Sequence, residues 1–175
     1  MSFKMKTVLA SMVLMATSAS VVHAAGSGQI NFSGEIIAAA CSITPGTSDQ
    51  SVMFGQVANS QLKEGGSSAL RPFKIELTGC DLEDLTDNTV TATFTGTESV
   101  DVPSALAISG TAKGAGIVIL DDRNTPVALG KATSPRGLVE GDNTLSFNAY
   151  LKGKATGDIT VGEFAAVTNF SLAYQ

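Results

Sequence analysis

The chain closes on a long alternating run. From Glu163 to Gln175, Phe164, Ala166, Phe170, Leu172 and Tyr174 share one parity, interrupted only by Thr168. Glu163, Asn169, Ser171 and Gln175 fall on the other, with Ala165, Val167 and Ala173 among them. Strand side chains alternate between two faces, so this run reads as a half-buried strand that reaches the last residue. Chain ends ordinarily fray. A strand placed there has to be held down by neighbouring structure.

A second alternating stretch lies near the other end, at Gly28 to Cys41, GQINFSGEIIAAAC. Ile30, Phe32 and Ile36 share one face, with Gly34 between Phe32 and Ile36. Asn31, Ser33 and Glu35 share the other. The periodicity is that of a strand, and its pairing partner is not evident from its position. Residues 36–43 are expected to form the first strand of the domain itself.

The residues before this stretch read as a secretory signal. Lys4 and Lys6 form a positive start, Val8 to Ala19 is apolar with small residues, and Val22-His23-Ala24 offers a cleavage site. Cleavage is placed after Ala24, with Ala25 the alternative. The apolar run is short for a membrane span and is followed at once by Gly and Ser. Membrane insertion is therefore not expected. All 16 acidic residues and 9 of the 11 basic ones lie beyond residue 25, so the exported chain carries a net charge of 9 − 16 = −7. That charge argues against nucleic acid or anionic lipid as a partner. An exported chain with two cysteines, Cys41 and Cys80, suggests one disulfide. It would close a loop of about 40 residues, worth on the order of 4 kcal/mol in the chain-entropy model.

Between the two ends the pattern is one of short strands and turns, with no sustained helical period. Val52 and Phe54 begin a strand that ends near Val57. Asn59 to Ser68 reads as a loop. Arg71 to Cys80 alternates Phe73, Ile75 and Leu77 with Lys74, Glu76 and Thr78. Val90, Ala92 and Phe94 alternate with Thr91, Thr93 and Thr95. Leu106 to Ile108 is a weak strand, Ile117 to Leu120 a central one, and Val127 to Leu129 a short one. Lys131 to Asn143 is a long loop, and Thr144 to Lys152 faces Leu145, Phe147, Ala149 and Leu151 inward. The sum is an all-β sandwich of immunoglobulin type, without an internal repeat.

The composition excludes most chemistry. The single histidine, His23, leaves with the signal, as do four of five methionines. Without histidine, and with both cysteines paired, Ser–His and Cys–His nucleophiles are ruled out, as are ordinary zinc sites. Asp81, Glu83, Asp84 and Asp87 lack the spacing of a calcium loop and read as a solvated turn. Asp121-Asp122 is a poor pair for glycoside cleavage. The glycines are scattered through turns rather than forming a phosphate loop. No enzyme activity, cofactor or metal is expected. The Asn31-Phe32-Ser33 and Asn169-Phe170-Ser171 sequons fall in expected strands and are treated as chance.

With these residues assembled, the chain resembles the major pilins of chaperone–usher (type 1 and P-like) fimbriae of Gram-negative bacteria. The carriers are the signal peptide, GQINFSGEIIAAACSI, a second cysteine in IELTGC, a penultimate Tyr174, and Gly162 fourteenth from the C-terminus. The resemblance implies an incomplete immunoglobulin-like sandwich of six strands plus an N-terminal donor-strand extension. It divides the chain into signal (1–24), extension (25–36) and pilin domain (37–175). It further implies a groove beside the terminal strand, with Gly162, Phe164, Ala166, Phe170, Leu172, Tyr174 and Gln175 as the groove and chaperone-recognition positions. The family's alternate donor positions, with Gly at the fourth, fall on Gly28, Ile30, Phe32, Gly34 and Ile36. Gly28 fills no pocket, so the effective donors reduce to Ile30, Phe32 and Ile36. Burying those three side chains contributes on the order of 5–8 kcal/mol.

The implied partners are a periplasmic chaperone, an outer-membrane usher and neighbouring pilins in a homopolymer that supports adhesion. The implied location is an extracellular fimbrium reached through the periplasm. A minor tip or adaptor subunit, or an adhesin-type binding module, is the alternative. The extension and the single domain disfavour an adhesin.

Overall fold

The computed structural model describes residues 28–175; the expected signal, and residues 25–27 of the expected extension, lie outside them. Residues Ile37–Gln175 form one compact unit. Eleven strands run through it: β1 (Ser42–Ile43), β2 (Arg71–Cys80), β3 (Thr89–Thr95), β4 (Leu106–Ala107), β5 (Ser109–Gly110), β6 (Ala115–Leu120), β7 (Pro126–Val127), β8 (Arg136–Gly137), β9 (Gly141–Gly153), β10 (Phe164–Ala165) and β11 (Asn169–Tyr174). One sheet has the order β1-β2-β9-β6-β4, with β7 also on β6; a second has the order β11-β3-β8; β10 pairs with β5. Every pairing is antiparallel.

The topology is immunoglobulin-like. In that frame one sheet holds strands A, B, E and D, and the other holds C, F and G. Here β1, β2, β9 and β6 stand as A, B, E and D, while β3 and β11 stand as C and F. Beyond β11 the order stops, and no described strand occupies the seventh place. The remaining strands are two-residue pieces, as is β1, so the six places of the frame are held by five longer strands and a short β1.

The long strands form where period-two patterning is sustained. In β2, Ile75 and Leu77 are buried while Lys74 and Thr78 are exposed. In β9, Leu145, Phe147, Ala149 and Leu151 are buried, facing β2 on one side and β6 on the other. All six residues of β6 are buried, as befits a central strand flanked by β9, β4 and β7. Phe73, Phe94 and Phe147 meet in stacked and edge-to-face contacts with centroids 5.1–6.1 Å apart. Such geometries are favoured by the ring quadrupole. The Cys41–Cys80 disulfide joins the entry to β1 with the end of β2 and packs in the same core cluster.

Three expectations need correction. The first strand covers Ser42–Ile43 and not residues 36–43. Ser42 lies opposite Thr78, and the last backbone bond before it runs from the Asp81 N–H to the Ala40 carbonyl. β2 ends at Cys80, so residues preceding Ala40 have no strand to pair with. Residues 52–57 join no ladder, and Gly55 among them sits at φ +67. Side chains tie this stretch to β2 instead: Arg71 Nη2 donates to the Phe54 carbonyl and Gln50 Nε2 to the Lys74 carbonyl. The segment 59–68 contains a short helix, Asn59–Leu62, and a 3-10 turn, Lys63–Gly65. A single helical turn is too short to leave a readable period. Its Leu62 carbonyl lies so near Gly153 that any Cβ there would sit 1.9 Å from it.

Candidate assembly groove

The terminal run divides into β10 and β11, with Thr168 at the break donating its hydroxyl to the Thr95 carbonyl. Burial still alternates without interruption: 164, 166, 168, 170, 172 and 174 are half-buried, and the residues between them are exposed. Thr168 thus belongs to the inward stripe. Their ladder partners across β3 differ sharply. Phe170 faces Phe94, Leu172 faces Ala92 and Tyr174 faces Val90, yet Phe94, Ala92 and Val90 are each only 1% exposed. The inward face of β11 is covered from one side alone.

The end of the strand is fastened. The Gln175 N–H donates to the Thr89 carbonyl, and the Thr89 N–H donates back to Gln175. That reciprocal exchange also sets the hydrogen-bond phase. Opposed residues in an antiparallel ladder alternate between exchanging and non-exchanging pairs. Asn169, Ser171 and Ala173 therefore direct their backbone groups to β3, while Phe170, Leu172 and Tyr174 direct theirs outward. No described strand lies there to receive them. An unpaired edge of this kind is a template for another strand.

Beside this edge lies an open groove of about 1390 Å³. It exceeds the roughly 300–1,000 Å³ of ordinary small-molecule sites. One wall is Asp49–Val57, the other runs from Ile159 to Phe170, and Phe73, Phe94, Leu106, Ile117 and Leu151 form part of the floor. The floor is sealed core, while apolar side chains of the walls, Phe164, Ala166 and Phe170 among them, are left half-buried. Phe54 and Phe164, one from each wall, touch edge-on with ring centroids 5.8 Å apart. Half-burial raises the phenol pKa of Tyr174 above its ordinary value of 10.0.

Of the residues singled out in the sequence, Gly162, Phe164, Ala166 and Phe170 line the groove, and Leu172, Tyr174 and Gln175 continue the same strand. Gly162 is required by close approach: a Cβ there would lie 2.3 Å from Thr111 Oγ1 and 2.7 Å from the Ala112 nitrogen. Gly28, Ile30, Phe32, Gly34 and Ile36 form no ladder, and Phe32 is 90% exposed. Sequence reasoning missed the wall at Asp49–Val57 and the place of Thr168 in the stripe. The alternation of Val52 and Phe54 was legible, but nothing in it announced an unpaired wall. Among the described residues no cluster of three or more His, Cys, Asp or Glu is placed to hold a metal. No helix among them is long and apolar enough to cross a membrane.

Among the described residues the sandwich stops one strand short of the immunoglobulin frame and leaves an open groove beside β11. Comparison with known proteins identifies the family. The fimbrial protein family model matches residues 30–175. The Fimbria A protein of Serratia marcescens is 46% identical over 175 residues, covering 98% of this chain and 99% of the relative. The major MR/P fimbria protein of Proteus mirabilis is 44% identical over 151 residues, covering 86% and 85%. Among solved structures, the P pilus rod subunit PapA superimposes with a TM-score of 0.70 at 33% identity, over 78% of this chain and all of the other. A chaperone–usher pilus structure gives 0.78 at 32% identity, over 90% of this chain and all of the other. The chain belongs to the fimbrial protein family, whose members are structural pilins rather than enzymes.

Proposed function

We propose that this protein is a structural subunit of a surface fimbrium, built into the shaft by donor-strand exchange. The carrying observation is the inward stripe of β11, half-buried beside an unpaired edge while its β3 partners are sealed. The strand that completes the sheet is supplied by residues 25–36 of the next copy, with Gly28, Ile30, Phe32, Gly34 and Ile36 turned into the groove. Backbone hydrogen bonds along the edge add to side-chain burial, the mode of β-strand addition. Three exposed apolar side chains on one subunit and an apolar groove on another remove each other from water.

The same groove explains the rest of the route. A subunit with open core cannot wait unprotected in the periplasm, because exposed apolar grooves and free edges aggregate. A periplasmic chaperone lends it a strand and holds the Gln175 carboxylate through basic residues. An outer-membrane usher is where that strand is replaced by a neighbour's extension. The finished polymer stands outside the cell and supports adhesion.

The test uses the whole exported chain with Ile30, Phe32 and Ile36 all replaced by Ser. This variant is expected to reach the periplasm with its disulfide formed yet yield no filaments. A synthetic peptide spanning Gly26 to Ala38 should then raise its melting temperature. Filaments from the triple variant, or no shift with the peptide, would refute donor-strand assembly.

A further inference from the structure

Charge is spread unevenly along the sandwich. β9 runs its length, and 13 residues at strand rise reach about 40 Å. Where β9 begins, the turn after β2 carries Asp81, Glu83, Asp84 and Asp87, and Glu140 and Asp142 flank the Gly141 that faces Cys80. All six acids are exposed, and residues 77–89 and 137–145 hold no lysine or arginine. Where β9 finishes, the backbone draws Lys63, Lys113, Lys152 and Lys154 together. The Gly65 N–H donates to the Lys154 carbonyl, the Lys154 N–H donates to the Gly114 carbonyl, and Lys152 opposes Ser67. Glu64, Asp158 and Glu163 share that end, so it holds four cations against three anions. The ion pairs among the described residues, Lys74 with Glu76 and Arg136 with Asp122, use none of these groups.

We infer that the acidic end of one copy's domain packs against the lysine end of the next, a charge-complementary contact between domain bodies that is separate from the groove. This rests on the donor-strand reading above, because chain connectivity is what brings unlike ends together. In the immunoglobulin frame the seventh strand runs antiparallel to F, here β11. A strand in that place starts beside Gln175 and finishes beside Gly162. Gly162 lies at the lysine end: it abuts Thr111 and Ala112, and Lys113 exchanges backbone hydrogen bonds with Thr160. The finishing residue of the extension, Ile36, is four residues before Ala40, whose carbonyl accepts the Asp81 N–H. The body that follows the extension therefore presents its acidic end to the lysine end of the subunit that receives it.

The two ends suit one another in more than charge. Exposed apolar side chains stand at both: Ile37 and Val139 at the acidic end, and Val161 at the lysine end, each more than half exposed. Three of the acids already serve their own turn. Asp81 Oδ1 accepts the Glu83 N–H, Glu140 Oε1 accepts the Leu82 N–H, and Asp142 Oδ1 accepts the Thr78 hydroxyl. Glu83, Asp84 and Asp87 hold no side-chain hydrogen bond among the described residues, which leaves them to meet a neighbour's lysines. Each exposed pair is weak on its own. Their sum sets orientation, since two acidic ends brought together repel, and such complementarity suppresses wrong contacts more than it adds affinity. A second copy is the occupant because it brings the lysines with it and is tethered at the right end. The contact would hold successive bodies at a fixed angle instead of leaving residues 37–40 as a hinge.

Filaments of the full chain treated with a water-soluble carbodiimide test the contact. The reagent condenses a carboxylate with an amine only where the two touch, releasing a urea and leaving an amide. Within one chain the two ends lie about 40 Å apart, so an amide between them joins two copies. A covalent ladder is expected, with peptides from residues 81–87 linked to Lys63, Lys113, Lys152 or Lys154 by mass spectrometry. Links from 81–87 only to Lys74 or Lys131, or none from that turn in intact filaments, would overturn the contact while leaving donor-strand assembly standing. Failure of the unaltered chain to form filaments would instead strike the donor-strand reading. A charge exchange checks the pairing independently. Asp84→Lys with Asp87→Lys should lower the ladder several-fold and make filaments more flexible in electron micrographs, with the disulfide and circular dichroism unchanged. Adding Lys63→Glu with Lys113→Glu to that chain should restore both. An unaffected double variant, or no recovery in the fourfold one, contradicts the contact.

Discussion

β3 and β11 are neighbours with the same alternation, and their inward residues face one another along a shared ladder. Their environments differ. β3 has β11 on one side and, on the other, β8 with the loop whose Gly130 and Thr133 N–H groups donate to Phe94 and Ala92 carbonyls. β11 has β3 alone. Burial follows: the inward residues of β3 are sealed, and those of β11 are half open. Sequence periodicity sets which face of a strand is apolar. The number of occupied edges sets whether that face is a core or a docking site.

The largest expected effect comes from denying β11 its second neighbour. On the donor-strand proposal, Gly34→Val should abolish filaments in electron micrographs, because the extension then carries a bulky side chain at a position the groove must take in, while the subunit keeps its disulfide and secondary structure by circular dichroism. Normal filaments would mean that position 34 does not enter the groove.

Next in size is a direct contrast between facing rings. Phe94→Ala should cost about 3–5 kcal/mol in urea unfolding of the subunit, as for a fully buried aromatic residue. Phe170→Ala should cost roughly half as much, since part of its surface is already wet. In filaments the two costs should converge, because the incoming strand covers Phe170. Equal costs in the free subunit would erase the contrast between the strands.

The smallest effect is alkaline. Burial raises the Tyr174 pKa above 10.0, so the folded chain holds the phenol proton more tightly than the unfolded one. The stabilisation this gives is complete below the unfolded value and is lost as pH rises through the folded one. Melting temperature should therefore drop above about pH 10, and Tyr174→Phe should flatten that limb. An unchanged limb in the variant would assign the alkaline loss to other groups.

Much of this was legible in the sequence, for reasons visible residue by residue. Ile75 and Leu77 in β2, Val90, Ala92 and Phe94 in β3, and Leu145 to Leu151 in β9 were readable because period two persists over many residues. The terminal stripe was readable for the same reason, but its half-burial was not, since exposure depends on whether the second edge of β11 is occupied, which no local pattern records. The stretch 52–57 has strand periodicity and no partner edge. Residues 36–41, apolar throughout, reach β2 only at its end, where the Asp81 N–H donates to the Ala40 carbonyl. Residues 59–65 turn helical for too few positions to leave a period. The wall at Asp49–Val57 is created by side chains reaching across, Arg71 to Phe54 and Gln50 to Lys74, which no local pattern announces.

Amide hydrogen exchange along β11 tests the central claim most directly. In the Gly34→Val subunit the N–H groups of Asn169, Ser171 and Ala173 should be protected by β3, while those of Phe170, Leu172 and Tyr174 exchange quickly at the open edge. In wild-type filaments Phe170 should become protected. Protection of Phe170 in the free subunit, or fast exchange there within filaments, would contradict an edge completed by a neighbouring chain.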